Sequence, residues 1–220
     1  MKPMDFEQAR HNMIEQQVRP WDVLDQRVLD VMTTLPREAF VPEKYRSLAF
    51  ADISIPLGHD QVMMAPKLEG RVLQALAIQP EDTVLEIGTG SGYLTACLAK
   101  LGKHVTSWEI FPELSETAQV TLSEQGIDNV TLEIGDATSG IADDARFDVI
   151  AITGSVPVLQ QQFHANMKAG GRLFVITGKP PIMEAVLITR LDADNWAQES
   201  LFETSLPPLV NATEPRRFAL

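Results

Sequence analysis

Apolar residues return at helical spacing twice near the start of the chain, first as Phe6, Met13, Ile14 and Val18, then as Leu24, Val28, Leu29, Met32 and Leu35. That spacing gathers them on one face of each segment and predicts two amphipathic helices. Pro20 interrupts the pair and Pro36 closes it, because proline has no amide to give to a helix interior. A proline-punctuated stretch runs from Pro42 to Pro56, after which Leu68, Val72, Leu73 and Leu76 predict a third helix over Pro66–Ile78. From Asp82 the rhythm shortens. Thr83–Ile87, His104–Trp108, Val130–Ile134, Phe147–Ile152 and Arg172–Thr177 read as strands. Helices fill three of the gaps: one through about Leu101, one opened by Pro112 and stopped by Gly126, and one from about Pro157 to Lys168. The alternation predicts an α/β fold, a doubly wound and mainly parallel sheet with a helical N-terminal extension. Ala185–Arg190 and Ser200–Leu206 have no helix between them and predict an antiparallel pair. Residues 1–220 read as one domain, with 1–80 as helical lead-in and 81–220 as the α/β core.

Composition narrows the setting. At 220 residues the chain can bury a full core. No apolar run reaches the ~18 residues of a membrane span, and the opening Met1–Phe6 lacks the apolar stretch of a signal peptide. A single cysteine, Cys97, excludes an internal disulfide and suits a reducing compartment, so a cytoplasmic protein is expected. Eighteen basic residues against thirty acidic ones give a net charge of −12, which repels phosphate backbones and anionic lipid. Arg216-Arg217 is the one tight basic pair near an end, too little for a nucleic-acid footprint. His11, His59, His104 and His164 are scattered without metal-ligand spacing, so no metal is expected.

The chemistry lies in Val84-Leu85-Glu86-Ile87-Gly88-Thr89-Gly90-Ser91-Gly92-Tyr93, a buried strand that ends in a turn with glycine at alternate positions before a helix. Glycine there lets a ligand approach the backbone, and the free amides at the helix start suit an anionic group. A dinucleotide site sets its last two glycines three apart, whereas Gly90 and Gly92 are only two apart. The closer spacing after Leu-Glu-Ile looks like an S-adenosylmethionine site in a Rossmann-like sheet. Gly88, Thr89, Gly90, Ser91 and Gly92 are its candidate loop, and Glu86 is a candidate contact to the cofactor's positive charges. Glu109, directly after the second strand, is placed to grip ribose hydroxyls, and Asp136 with Ala137, after the third, to meet the adenine edge. Asp148, at the head of the fourth strand, reads as a structural turn residue.

Several motifs resemble those of the protein-L-isoaspartate O-methyltransferases. They are Leu35-Pro36-Arg37-Glu38-Ala39-Phe40-Val41-Pro42, Ala49-Phe50-Ala51-Asp52, Ile55-Pro56-Leu57-Gly58, the glycine turn through Tyr93, and Gly170-Gly171-Arg172-Leu173. The resemblance implies methyl transfer from S-adenosylmethionine, leaving S-adenosylhomocysteine, to isoaspartyl carboxylates of damaged proteins or peptides. It also implies a substrate loop at His59, Asp60, Gln61, Val62, Met63 and Met64. In the family that loop reads Tyr-Gly-Gln-Thr-Ile-Ser, so Val62 and Met64 stand where threonine and serine are usual. The resemblance places the serine beside cofactor and substrate, and no catalytic side chain is assigned at Met64. Two other acceptor-side readings therefore stay open: a same-fold methyltransferase of a small apolar acceptor, and a non-catalytic protein that binds the cofactor. Oligomeric state is not legible.

Overall fold

Strand residues alternate between two apolar cores, which fixes the layers. Val84, Val149, Ala151 and Phe174 face the core shared with the lead-in helices, whereas Leu85, Ile87, Ile150, Ile152, Leu173 and Val175 face the other. The computed structural model describes residues 5–141 and 146–214; Met1–Met4 and the Arg216-Arg217 pair lie outside the described residues.

In chain order the elements are α1 (Phe6–Met13), α2 (Gln26–Thr34), β1 (Ile55–Gly58), β2 (Gln61–Met63), α3 (Pro66–Leu76), β3 (Thr83–Ile87), α4 (Tyr93–Leu101) and β4 (His104–Glu109). There follow α5 (Pro112–Glu124), β5 (Val130–Ile134), β6 (Phe147–Val156), α6 (Gln161–Ala165), β7 (Met167–Lys179), β8 (Ile182–Arg190) and β9 (Trp196–Thr204). Seven strands form one sheet in the order β5-β4-β3-β6-β7-β8-β9. Pairing is parallel from β5 to β7 and antiparallel from β7 to β9, the mainly parallel sheet and terminal antiparallel pair that the pattern predicts. The chain winds outward from β3 through β4 to β5, then returns to the other side of β3 as β6. Ligands of such sheets bind in the crevice at the carboxyl ends of the strands where the winding reverses, here between β3 and β6.

Several boundaries differ from the expectation; β6 runs on to Val156 and β8 begins at Ile182. The helical path from α1 runs through a π-helical turn at Ile14–Val18 and a 3-10 turn at Arg19–Trp21, where the proline sits near the start and needs no amide partner, and breaks at left-handed Asp22, so the interruption expected around Pro20 falls just beyond it. α3 ends at Leu76, two residues early, because Ala77 turns left-handed at φ 45°. The helix expected over Pro157–Lys168 shrinks to α6, and β7 begins at Met167. Gly170-Gly171 is therefore no entry turn but an irregularity inside β7, where the register jumps between the pairs Phe147–Met167 and Val149–Arg172. β9 begins at Trp196, four residues before the expected Ser200, because its charged and polar residues hide the alternation at an exposed edge.

The lead-in is tied to the core by a buried cation. Arg37 is fully buried; its Nε donates to the Ala49 carbonyl at 2.8 Å and its Nη2 to the Met64 carbonyl at 2.7 Å. Nη1 pairs with the carboxylate of Glu69 on α3, and the guanidinium lies 4.7 Å from the Tyr93 ring centroid. Each of its three nitrogens meets a partner, as a charge removed from water requires. Removing one member of such a pair leaves the other uncompensated. Arg37→Met should therefore destabilise the fold by about 3–5 kcal/mol, read from urea unfolding midpoints; a loss below 1 kcal/mol would show that the pair does not hold the lead-in.

Candidate functional site

The turn after β3 is shaped by the ends of its two neighbours. The amides of Gly88 and Thr89 both donate to the Trp108 carbonyl of β4, at 2.8 and 3.3 Å. From the other side, the Thr153 hydroxyl of β6 reaches the carbonyls of Ile87 and Gly88 at 2.8 and 2.7 Å. Gly88 has φ 97°, and a Cβ there would fall 2.3 Å from that hydroxyl oxygen, so only glycine fits. Gly90 (φ 54°) and Gly92 (φ 80°) continue the left-handed path. A Cβ on Gly92 would come within 3.0 Å of Ala118, so this glycine serves the packing of α4 against α5.

A pocket of about 680 Å³ opens at this point. Gly88 and Gly90 form its floor, Trp108, Glu109 and Phe111 one wall, and Gly135, Asp136, Ala137 and Thr138 the far end. Glu109 ends β4; its Oε2 accepts from the Gly90 amide at 2.8 Å and its Oε1 from the Phe111 amide at 3.1 Å. Its carboxylate is thus fixed at the mouth of the glycine turn. Asp136 caps a 3-10 turn at Ala137–Ser139 and accepts from the Thr138 amide and hydroxyl and from Asn211. Partial burial pushes its carboxyl up, but the bonds from Thr138 and Asn211 outweigh that and hold it below its usual range.

The hairpin β1–β2 roofs the pocket with Leu57, Gln61 and Val62. His59 and Asp60 occupy its tip, both left-handed at φ 50° and 57°, and His59 stacks on Phe111 with ring centroids 4.2 Å apart. Neither tip residue lines this pocket. Met63 and Met64 line a smaller cavity of about 300 Å³ with Thr89, Ser91 and Glu69; it shares Val62, Gly88, Gly90 and Thr153 with the larger one. Of the residues expected for the cofactor, Gly88, Gly90, Glu109, Asp136 and Ala137 line the larger chamber and Thr89 and Ser91 only the smaller; of the expected substrate loop, Gln61 lines the larger, Met63 and Met64 the smaller, and Val62 both.

Glu86 falls elsewhere. It is fully buried, lines neither chamber, and its Oε2 accepts from Thr95 at 2.5 Å and Ser107 at 2.6 Å. Its other oxygen has no partner. Burial above all, against these two bonds, pushes its carboxyl up to about 8, so at neutral pH it is a neutral acid behind the turn. Ser107 passes the contact on to the Thr89 hydroxyl at 2.6 Å, so Glu86 supports the turn rather than facing its ligand. Asp148 is likewise structural: it pairs with Lys168 and accepts from the Thr83 amide at the start of the strands.

Three contributors were not singled out beforehand. Thr153 gave no sign beyond its place after the fourth strand. Leu206, Pro207, Leu209 and Val210 close the pocket from the far end of the chain, held by Ser155, which donates its amide to the Pro207 carbonyl and accepts from the Leu209 amide, both at 2.9 Å. Glu69 had a legible signal, a carboxylate at the inward spacing of Val72, Leu73 and Leu76.

Comparison with known proteins agrees with this geometry. The family model described as protein-L-isoaspartate(D-aspartate) O-methyltransferase matches residues 8–214. The chain belongs to the protein-L-isoaspartate O-methyltransferase family. The family member from Koribacter versatilis is 35% identical over 205 residues, 93% of this chain and 92% of that one. The member from Syntrophobacter fumaroxidans is 37% identical over 185 residues, 84% and 86% of the two chains. Two solved structures share the fold. One, a protein-L-isoaspartate O-methyltransferase, has TM-score 0.78 at 24% identity over 90% of this chain and 65% of its own. The other, from Plasmodium falciparum, is described as a beta-aspartate methyltransferase in complex with S-adenosyl-L-homocysteine; it has TM-score 0.79 at 18% identity, over 94% and 99% of the two chains.

Glu86 gives a pH test of this site's architecture. Its folded-state pKa stands above the ordinary 4.5, so its contribution is full below pH ~4.5 and lost as pH rises through about 8. Stability should fall with pH across that window, and Glu86→Gln should flatten the fall in urea unfolding at pH 5, 6.5 and 8. An unchanged slope in the variant would mean that Glu86 is ionised in the fold.

Proposed function

We propose that the protein methylates the carboxylate of L-isoaspartyl residues in damaged proteins or peptides, using S-adenosylmethionine. What carries this reading is the meeting of two chambers at the glycine turn of a chain that belongs to this family. The larger chamber fits the cofactor: Gly88 and Gly90 leave room for a ligand against the backbone, Glu109 offers a fixed carboxylate for ribose hydroxyls, and Asp136 with Ala137 faces an adenine edge. The Glu109 carboxylate already holds two backbone amides, so it is set before any ligand arrives. S-adenosylmethionine supplies a methyl group activated by its sulfonium charge.

The acceptor needs little acid–base help. A carboxylate has a pKa near ~4 and is already ionised at neutral pH. The chain's own residues then have to orient it and exclude water, which suits a roof made of Leu57 and Val62 and an end wall of Leu206 and Leu209. The buried, lone Cys97 suits a reducing, cytoplasmic setting. Among the described residues no helix is long and apolar enough to cross a membrane. A second reading, a small apolar acceptor, draws on Val62, Met63 and Met64 along the smaller chamber.

Radiolabelled methyl transfer to an isoaspartyl peptide and to its normal aspartyl twin separates the two. The isoaspartyl form should be methylated and the twin should not. Inactivity on both, with S-adenosylhomocysteine still bound, would move the assignment to the apolar acceptor.

A further inference from the structure

The smaller chamber carries one charged side chain among its lining residues, Glu69. Glu69 is about 1% exposed, yet it borders the cavity together with Met63, Met64 and Ser91. Met64 offers no hydrogen-bond donor where the family carries a serine hydroxyl. Arg37 is not free to substitute, since its three nitrogens already serve Ala49, Glu69 and Met64. An acceptor carboxylate entering this chamber would meet a second carboxylate, and two such groups at close range cannot both stay ionised.

We infer that Glu69 is the group that receives the acceptor carboxylate: protonated, it donates a hydrogen bond to the carboxylate oxygen not being methylated, taking over from the serine hydroxyl that Met64 replaces. This rests on the isoaspartyl reading. The proton comes from solvent as the peptide binds, forms the O–H bond of the Glu69 carboxyl and stays there, so no group is transferred between protein and peptide. The surroundings favour this exchange. Arg37 faces Glu69 from the turn after α2, Tyr93 and Cys97 from α4, and Glu86 from β3. At neutral pH burial keeps the phenol, the thiol and Glu86 protonated, and above about 8 an ionised Glu86 would itself favour a proton on Glu69, so Arg37 alone opposes one. Burial outweighs Arg37 and raises the Glu69 carboxyl to about 7, which makes both of its forms accessible near neutral pH. As the donor is the protonated form, peptide binding is strongest below that value and weakens as pH rises through it.

The test is isothermal calorimetry of an isoaspartyl peptide on the S-adenosylhomocysteine-loaded protein from pH 6 to 9, in buffers of different ionisation enthalpy. For wild type, the peptide Kd should rise by roughly tenfold per pH unit above about 7, with proton uptake approaching one per peptide at pH 8–9. Glu69→Gln keeps the shape and an untitratable donor. Its peptide affinity should be flat with pH and its proton uptake absent, while S-adenosylhomocysteine still binds and so reports a folded variant even where the loss of the Arg37 partner lowers the unfolding midpoint. Peptide binding without proton uptake by wild type, with one pH profile for both proteins, would overturn the role of Glu69 and leave the isoaspartyl reading intact. Failure of the peptide to bind either protein, with S-adenosylhomocysteine still bound, would overturn that reading and this inference with it.

Discussion

The amides of Gly88 and Thr89 share one acceptor, the Trp108 carbonyl, and the rest of the site depends on that fork. A parallel strand that ends in the core leaves backbone groups which must find partners or bear the cost of burial. Here the neighbouring strand satisfies the donors, and the Thr153 hydroxyl of the opposite neighbour shares its one proton between the two carbonyls. The chain is thereby bent away from the sheet at its winding reversal, and the bend leaves the floor of the larger chamber without side chains. Glu109 sits one residue beyond Trp108 and is carried to the mouth of the same bend. Floor and carboxylate are two consequences of one backbone arrangement.

The acceptor side is built on a different principle. Arg37 gathers the Ala49 carbonyl, the Met64 carbonyl and Glu69 around one cation, fixing the substrate segment relative to α3 and the glycine turn. A buried pair of this kind is weak evidence for stability in itself, since well-packed apolar residues often do as well. Its value lies in placement, because it sets an acid where Val62, Met63 and Met64 otherwise make an apolar wall. The adjoining chambers share the glycine turn and differ in what faces it: Trp108, Glu109 and Asp136 on one side, Met63, Met64, Ser91 and Glu69 on the other.

Much of this was legible in the sequence where a physical requirement leaves a local mark. The glycine turn could be read because left-handed backbone needs Gly88, Gly90 and Gly92 in a fixed rhythm, and the strands because two-sided burial leaves apolar runs. Glu86 was misplaced for the same reason that it was noticed. A carboxylate at a strand end reads as a ligand contact, and only the packing of Thr95 and Ser107 shows that it points behind the turn. The chamber's closure by Leu206–Val210 and the clamp by Thr153 join segments far apart in the chain, and no local pattern records such a meeting. Glu69 lies between these cases: its inward spacing was visible, but its partner Arg37, 32 positions away, was not.

The central claim is that the bend between β3 and α4, with Glu109 at its mouth, is the S-adenosylmethionine site. Calorimetric titration of S-adenosylhomocysteine into wild type and Glu109→Ala tests it most directly. Wild type should bind one ligand per chain, and the variant, folded, should bind more weakly by about 1.5–3 kcal/mol, the worth of hydrogen bonds to a charged group. Equal affinity in the two proteins would contradict the account.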